Sequence, residues 1–333
     1  MSRLGALVLT GVLAAGCGGS SSNPAAPGSG TPGAGNVSAV ASTYLNEVIG
    51  LMQNNSINRA RINWTDFRSQ VFQRAQGAQI ISDTYPAISV ALGLLDDHHS
   101  FFTTPSGGFV SNPSSRGCSA TTTSTPTVPA DVGYVKVASF GGTDPASITA
   151  FADSIQEQIR RADRASLVGW IVDVRGNTGG NMWPMVAGIG PVLGEGIAGF
   201  FVPPQGNATP WSFQNGAAAS GGSVIARTSA VYELATRDPK VAVLTDGRAA
   251  SSGEAVVVSF RRRPNTRSFG GATCGLSTAN STLRLSDGAT LLLTTAVMAD
   301  RIQSPYGDVI APDEPVAGDS PVVDRAVAWL HGI

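Results

Sequence analysis

Residues 241–254, VAVLTDGRAASSGE, run on as AVVVSFRRR to Arg263, and the reading of this stretch decides the fold. Val241-Ala242-Val243-Leu244 is a short apolar run rich in β-branched residues, closed by the turn signal Asp246-Gly247. Small residues and two serines follow, then an apolar segment that continues as a helix. Strand, tight turn and helix N-terminus in that order can hold a serine hydroxyl beside backbone N–H groups, because the first N–H groups of a helix have no partner within it. Ser251 is therefore a candidate nucleophile. A plainer pattern fits the same residues: Ser251 caps the helix and Glu254, three residues on, completes a capping box. The local pattern leaves both open.

A second turn of similar construction lies upstream. Residues 133–137 read as a strand, 145–161 as a helix and 167–174 (LVGWIVDV) as a buried strand, an order that predicts a right-handed parallel crossover. Arg175-Gly176-Asn177-Thr178-Gly179-Gly180-Asn181 follows, ahead of an apolar stretch, 182–193, that begins as a helix. Glycine turns between strand and helix free backbone N–H groups to meet an anion. This one lacks both the P-loop lysine and the Gly-x-Gly-x-x-Gly spacing of phosphate cradles. An oxyanion hole needs the same donors, and a plain tight turn needs none of them. Two late strands are predicted at 282–285 and 289–296 around Ser286-Asp287-Gly288, while residues 200–223, rich in Gly, Ala and Pro, have no assignment.

The N-terminus reads as a targeting segment. Arg3 precedes an apolar run, residues 4–13, too short to span a bilayer. It ends in Leu13-Ala14-Ala15-Gly16-Cys17, which resembles the lipobox of bacterial lipoproteins and implies cleavage before Cys17 and acylation of its thiol. The expected organisation is a signal peptide (1–16), a Gly/Ser/Pro tether (17–36), a helical domain (37–102), a loop (103–130) and an α/β core (131–333). In the helical part Val40, Tyr44, Val48 and Met52 recur near helical spacing, and Trp64 and Phe67 read as core. Export to the cell envelope, facing periplasm or exterior, permits a disulfide between Cys118 and Cys274, the two cysteines left beyond Cys17. With 42% hydrophobic and 14% charged residues in 333 the chain can bury a sizeable core, and a net charge of −1 without a long basic run argues against a nucleic-acid partner.

Two of the three histidines are adjacent, in Leu95-Asp96-Asp97-His98-His99-Ser100-Phe101, and the third, His331, lies near a C-terminus expected to fray. Neighbouring side chains point apart on any regular element, so one at most serves a given site. No further ligand stands at metal-binding spacing, and neither metal nor cofactor is expected.

Four stretches, in order, resemble the S41 serine peptidases, the group of the carboxy-terminal processing proteases and the tricorn core protease. They are residues 95–101, the strand and glycine turn Ile171-Val172-Asp173-Val174-Arg175-Gly176-Asn177-Thr178-Gly179-Gly180, the opening stretch, and Gly271-Ala272-Thr273-Cys274-Gly275. The resemblance implies the ClpP/crotonase-like α/β core of that family, a peptide or protein substrate, Ser251 as nucleophile, and an oxyanion hole from the N–H of Ser252 with that of Gly179 or Gly180. It places the family histidine on His99. The processing proteases use a lysine base, whose position here is Leu276, and no lysine follows Lys240. A histidine base, as in the tricorn arrangement, is then the expectation. Asp308 is the carboxylate nearest the place of the third group, ahead of Asp300, with Asp97 as a local candidate. About 30 residues separate Phe102 from Gly133, too few for the PDZ domain of the processing proteases. A non-catalytic module binding an apolar ligand or peptide on the same scaffold is the alternative.

Overall fold

The computed structural model of the chain describes residues 35–119 and 124–333; the signal segment and Cys17 lie outside them. The described chain forms two units: residues 35–116 with Asn280–Thr295, and Gly117–Ala279 with Ala296–Ile333.

The first unit opens with three helices, α1 (Ala39–Asn55), α2 (Trp64–Arg74) and α3 (Tyr85–Leu94). Each begins where the sequence supplies a start signal. The Ser38 hydroxyl accepts the Ala41 N–H, the Asn63 side chain accepts from Thr65 and Asp66, and Pro86 occupies the first turn of α3, where its missing N–H costs nothing. Tyr44, Val48 and Met52 are buried as their spacing predicts, whereas Val40, a turn earlier, is 59% exposed. Phe67 is buried and Trp64 packs half-buried against it, ring centroids 4.8 Å apart. Two short strands follow, β1 (Phe101–Thr103) and β2 (Phe109–Val110). The helical core is completed by residues far along the chain: Leu291 and Leu293 alternate inward from a late strand, Leu291 opposite Phe102 of β1. That is why Asn280–Thr295 belongs to the helical unit.

The second unit is built on a parallel sheet. Its elements are β3 (Val132–Lys136), α4 (Pro145–Ala162), β4 (Gly169–Asp173), α5 (Met182–Leu193), β5 (Gly196–Val202), β6 (Thr209–Gln214), β7 (Ala217–Ser220), β8 (Ser223–Arg227), β9 (Val241–Thr245), α6 (Ser252–Phe260) and β10 (Thr266–Gly270). After them come β11 (Thr278–Arg284) and β12 (Thr290–Ala299), each of which contributes to both units, then β13 (Glu314–Pro315) and α7 (Asp319–His331). The sheet order is β13-β10-β9-β4-β3, every pairing parallel, as the strand–helix–strand pattern predicts. All five residues of β4 and of β9 are buried, the signature of strands covered on both faces. Ile171, Ala242, Leu244 and Phe269 pack against Val322, Val323, Ala326 and Leu330 of α7. The C-terminus is thus a docked helix rather than a frayed end, and His331 meets Asp131 at 2.9 Å.

The unassigned stretch is an antiparallel meander, β5-β6-β7-β8, with residues 297–299 of β12 beside β5. Its packing depends on glycine. A Cβ on Gly190 of α5 would come within 1.9 Å of the Phe213 ring, and one on Gly199 within 2.2 Å of Trp211. The aromatic rings occupy the space where side chains are missing.

Candidate active site

The residues between β9 and α6 are held by bonds among themselves and by the glycine turn. Asp246 accepts the Gly176 N–H at 3.0 Å and the N–H groups of Arg248 and Ala249 at 3.0 Å each, and Ala250 N–H donates to the Asn177 carbonyl at 2.9 Å. The serine turn and the glycine turn are therefore one bonded structure. Ser251 sits at φ 52°, ψ −117°, a conformation that side chains other than glycine avoid and that marks a sharp strand–turn–helix elbow. Its N–H donates to Glu254 Oε2 at 2.9 Å, so the glutamate half of the capping box is present, while its hydroxyl makes no cap bond. The serine is not spent as a helix cap.

The glycine turn has to be glycine. Gly179 (φ 101°) lies so close to the elbow that a Cβ there would stand 2.9 Å from Ser251 Cβ and 3.1 Å from Ser252 N. The Gly179 N–H donates to Asn177 Oδ1 at 2.9 Å. Gly180 pairs with Phe140 through bonds from Phe140 N–H to the Gly179 carbonyl and from Asn181 N–H to the Phe140 carbonyl, neither of which uses the Gly180 N–H. Ser252 Oγ donates to the Gly180 carbonyl at 2.5 Å, and the Ser252 N–H, first in α6, is an orphan donor by position. Behind the turn, Asp173 is bound by Arg175 (2.8 Å), Lys136 (3.2 Å) and the Tyr134 hydroxyl (2.9 Å). Burial works against its charge, but the Arg175 bonds and the Lys136 charge outweigh it and hold the carboxyl below its usual range.

Glu254 has a role the sequence did not disclose. Fully buried, it accepts from Thr273 Oγ1 (2.5 Å), Gly275 N–H (2.9 Å) and Leu276 N–H (2.7 Å) as well as from Ser251, and so ties the elbow to the loop 271–277. Burial pushes its carboxyl up to about 7 against the pull of those donors. Cys274 of this loop is bonded to Cys118 (S–S 2.03 Å). A Glu254→Gln substitution turns an NH₂ group toward a cluster of donors and should cost about 2–3 kcal/mol, read as a lower midpoint in urea unfolding.

The two histidines, which belong to the first unit, differ sharply. His98 (φ 61°) holds the Ser114 carbonyl through Nδ1 at 2.6 Å. His99 follows a turn organised by Asp97, whose carboxylate accepts the N–H groups of His99 (3.1 Å) and Ser100 (2.8 Å) and the Ser100 hydroxyl (2.5 Å). Burial pushes the His99 imidazole down to about 4, so it is neutral at ordinary pH. Asp97 is spent on its own turn. Asp300 is likewise committed, accepting from Ile302, Ser304 and Tyr306. Asp308, in the second unit, is exposed, with Oδ1 accepting the Val309 N–H at 2.8 Å. The lysine position is filled by Leu276, which offers the elbow a backbone N–H in place of an amine.

A strained serine elbow against a glycine turn on a parallel α/β sheet is a scaffold able to hold a serine hydroxyl beside backbone N–H donors. Residues 131–316 match the model of peptidase family S41, and the chain belongs to that family. The chain is 28% identical over 267 residues, 80% of each sequence, to the nisin-resistance protein of Lactococcus lactis subsp. lactis. A lipoprotein from Streptococcus agalactiae shares the fold at a TM-score of 0.70 and 21% identity, over 89% of this chain and 98% of that one. The photosystem II D1 C-terminal processing protease does so at 0.54 and 14%, over 87% and 98%. Among the described residues no helix is long and apolar enough to cross a membrane.

Proposed function

We propose that the protein is an exported serine peptidase, anchored to the bacterial cell envelope through a lipid on Cys17. The observation that carries the catalytic reading is the backbone of Ser251, a non-glycine residue in a glycine conformation at the head of a buried helix, its hydroxyl unspent on the cap. Ser251 Oγ attacks the peptide carbonyl and its proton passes to His99, which burial keeps neutral and able to accept it. The developing oxyanion is met by the N–H groups of Ser252 and Gly180; the Gly179 N–H is occupied by Asn177, which favours its neighbour. His99 then returns the proton to the leaving amine, and water, deprotonated by the same imidazole, releases the acyl group. Asp308 is the carboxylate assigned to orient the base. The Cys118–Cys274 disulfide fits a protein that works outside the cytoplasm.

A fluorophosphonate probe tests the nucleophile without knowledge of the substrate. The expected result is one modified residue, Ser251, located by peptide mass spectrometry, with loss of peptide hydrolysis in proportion to labelling. A folded protein that never reacts, yet retains peptides or apolar ligands, would replace this reading with that of a binding module. The name of the Lactococcus relative makes nisin the first peptide to assay.

A further inference from the structure

We infer that the Cys118–Cys274 disulfide is a positioning device for Ser251 and makes the peptidase dependent on an oxidising compartment; the inference rests on Ser251 being the nucleophile.

Besides the glycine turn, two further segments remote in sequence grip the elbow. From one side Ser119 N–H donates to the Gly247 carbonyl at 3.0 Å. From the other, Cys274 N–H donates to the Ala249 carbonyl at 2.8 Å, and Thr273, Gly275 and Leu276 reach Glu254, whose carboxylate holds the Ser251 N–H. The disulfide, spanning 156 residues, joins Cys118, the neighbour of the residue that makes the first grip, to Cys274, which makes part of the second. A non-glycine residue in Ser251's conformation persists only where its surroundings over-determine it. With Leu276 in place of a lysine, the contacts shown from this loop to the elbow are backbone and hydroxyl bonds that fix position, and the crosslink holds the loop in register.

The bond is open to exchange. Cys118 is half-exposed while Cys274 is buried. A dithiol reductant would attack Cys118 Sγ as thiolate, form a mixed disulfide there and expel the Cys274 thiolate. Its second thiolate then attacks the reductant's own sulfur in that mixed disulfide, releasing the Cys118 thiolate. Both cysteines take up protons, and the dithiol leaves as its disulfide carrying the two-electron oxidation. Run in reverse against a disulfide oxidant, the same exchange switches the elbow on after export. A chain still in a reducing cytoplasm would be folded but slow.

The experiment uses the mature protein. Fluorophosphonate labelling of Ser251 and hydrolysis of a peptide substrate are followed before reduction, after reduction with dithiothreitol, and after reoxidation. Thiol titration counts two thiols per chain, and urea unfolding is run in parallel. The expected result is a tenfold or larger fall in labelling rate and in kcat, with KM within about threefold, a cooperative unfolding transition retained, and recovery on reoxidation. The Cys118→Ser/Cys274→Ser variant should be slow under all three conditions. Full labelling by the two-thiol form would overturn the inference, as would loss of labelling that tracks loss of the unfolding transition. An oxidised, folded protein that never labels would instead remove the nucleophile itself, and this inference with it.

Discussion

Replacing Ser251 with glycine is expected to abolish peptide hydrolysis and at the same time stabilise the protein. At φ 52°, ψ −117° a residue with a Cβ carries a strain of about 1–3 kcal/mol, which glycine does not. The greater freedom of glycine in the unfolded chain takes back roughly 0.5–1 kcal/mol. The net gain should be about 1 kcal/mol, measurable as a raised urea midpoint with unchanged slope. Ser251→Ala separates the two effects, since alanine keeps the Cβ and the strain but loses the hydroxyl. Its stability should stay within about 0.5 kcal/mol of wild type, and its hydrolysis should fall by about 10⁴-fold or more. Activity surviving in the alanine variant would end the nucleophile assignment. A glycine variant no more stable than alanine would end the strain argument while leaving the chemistry standing.

What could be read from the sequence, and what could not, follows from how local each signal is. The strand–turn–helix around Ser251 is punctuated by Asp246-Gly247 and by a run of small residues, so its elements were legible from neighbours in the chain. The meander β5–β8 was not, because what makes it a sheet is the seating of Trp211 and Phe213 on glycines in β5 and α5. Alternation over Trp211-Ser212-Phe213 was too short a signal amid Pro and Gly. Glu254 was legible as a capping residue, but its other three donors come from a loop some 20 residues away that no local pattern ties to it. That Asn177 takes the Gly179 N–H was beyond any motif, since it depends on where that side chain turns in the folded chain. The late strands were found, yet their membership in the helical unit rests on Leu291 and Leu293 pointing into a core formed more than 180 residues earlier.

The histidine assignment makes the second large prediction, and it has two readouts. His99→Gln should lower kcat by about 10²–10⁴-fold, whereas His98→Gln should remain within about twofold of wild type, since His98 is engaged with the Ser114 carbonyl through Nδ1. The pH dependence then distinguishes a base from a residue that merely packs. With its imidazole pushed down to about 4, His99 keeps its proton-accepting form through mildly acid solution, so the acid limb of kcat/KM should lie well below the 6.5 of a free histidine. The same shift has a sign in stability. A histidine whose folded value is depressed contributes stability that is fully present above about 6.5 and is lost as pH falls from there toward 4, because the unfolded chain takes up the proton first. Glu254 runs the other way over much of the same window. Its raised carboxyl favours the folded state in acid, and that contribution fades as pH rises from 4.5 through about 7. These two opposed slopes add to those of the other shifted groups in the wild-type profile, so the informative quantity is the difference between wild type and His99→Gln. That difference should shrink as pH falls from 6.5 to 4, and a constant offset would show that His99 titrates normally in the folded protein. An active His99→Gln enzyme with an unmoved acid limb would take the base away from His99 altogether, leaving the strained serine to be activated by some other group.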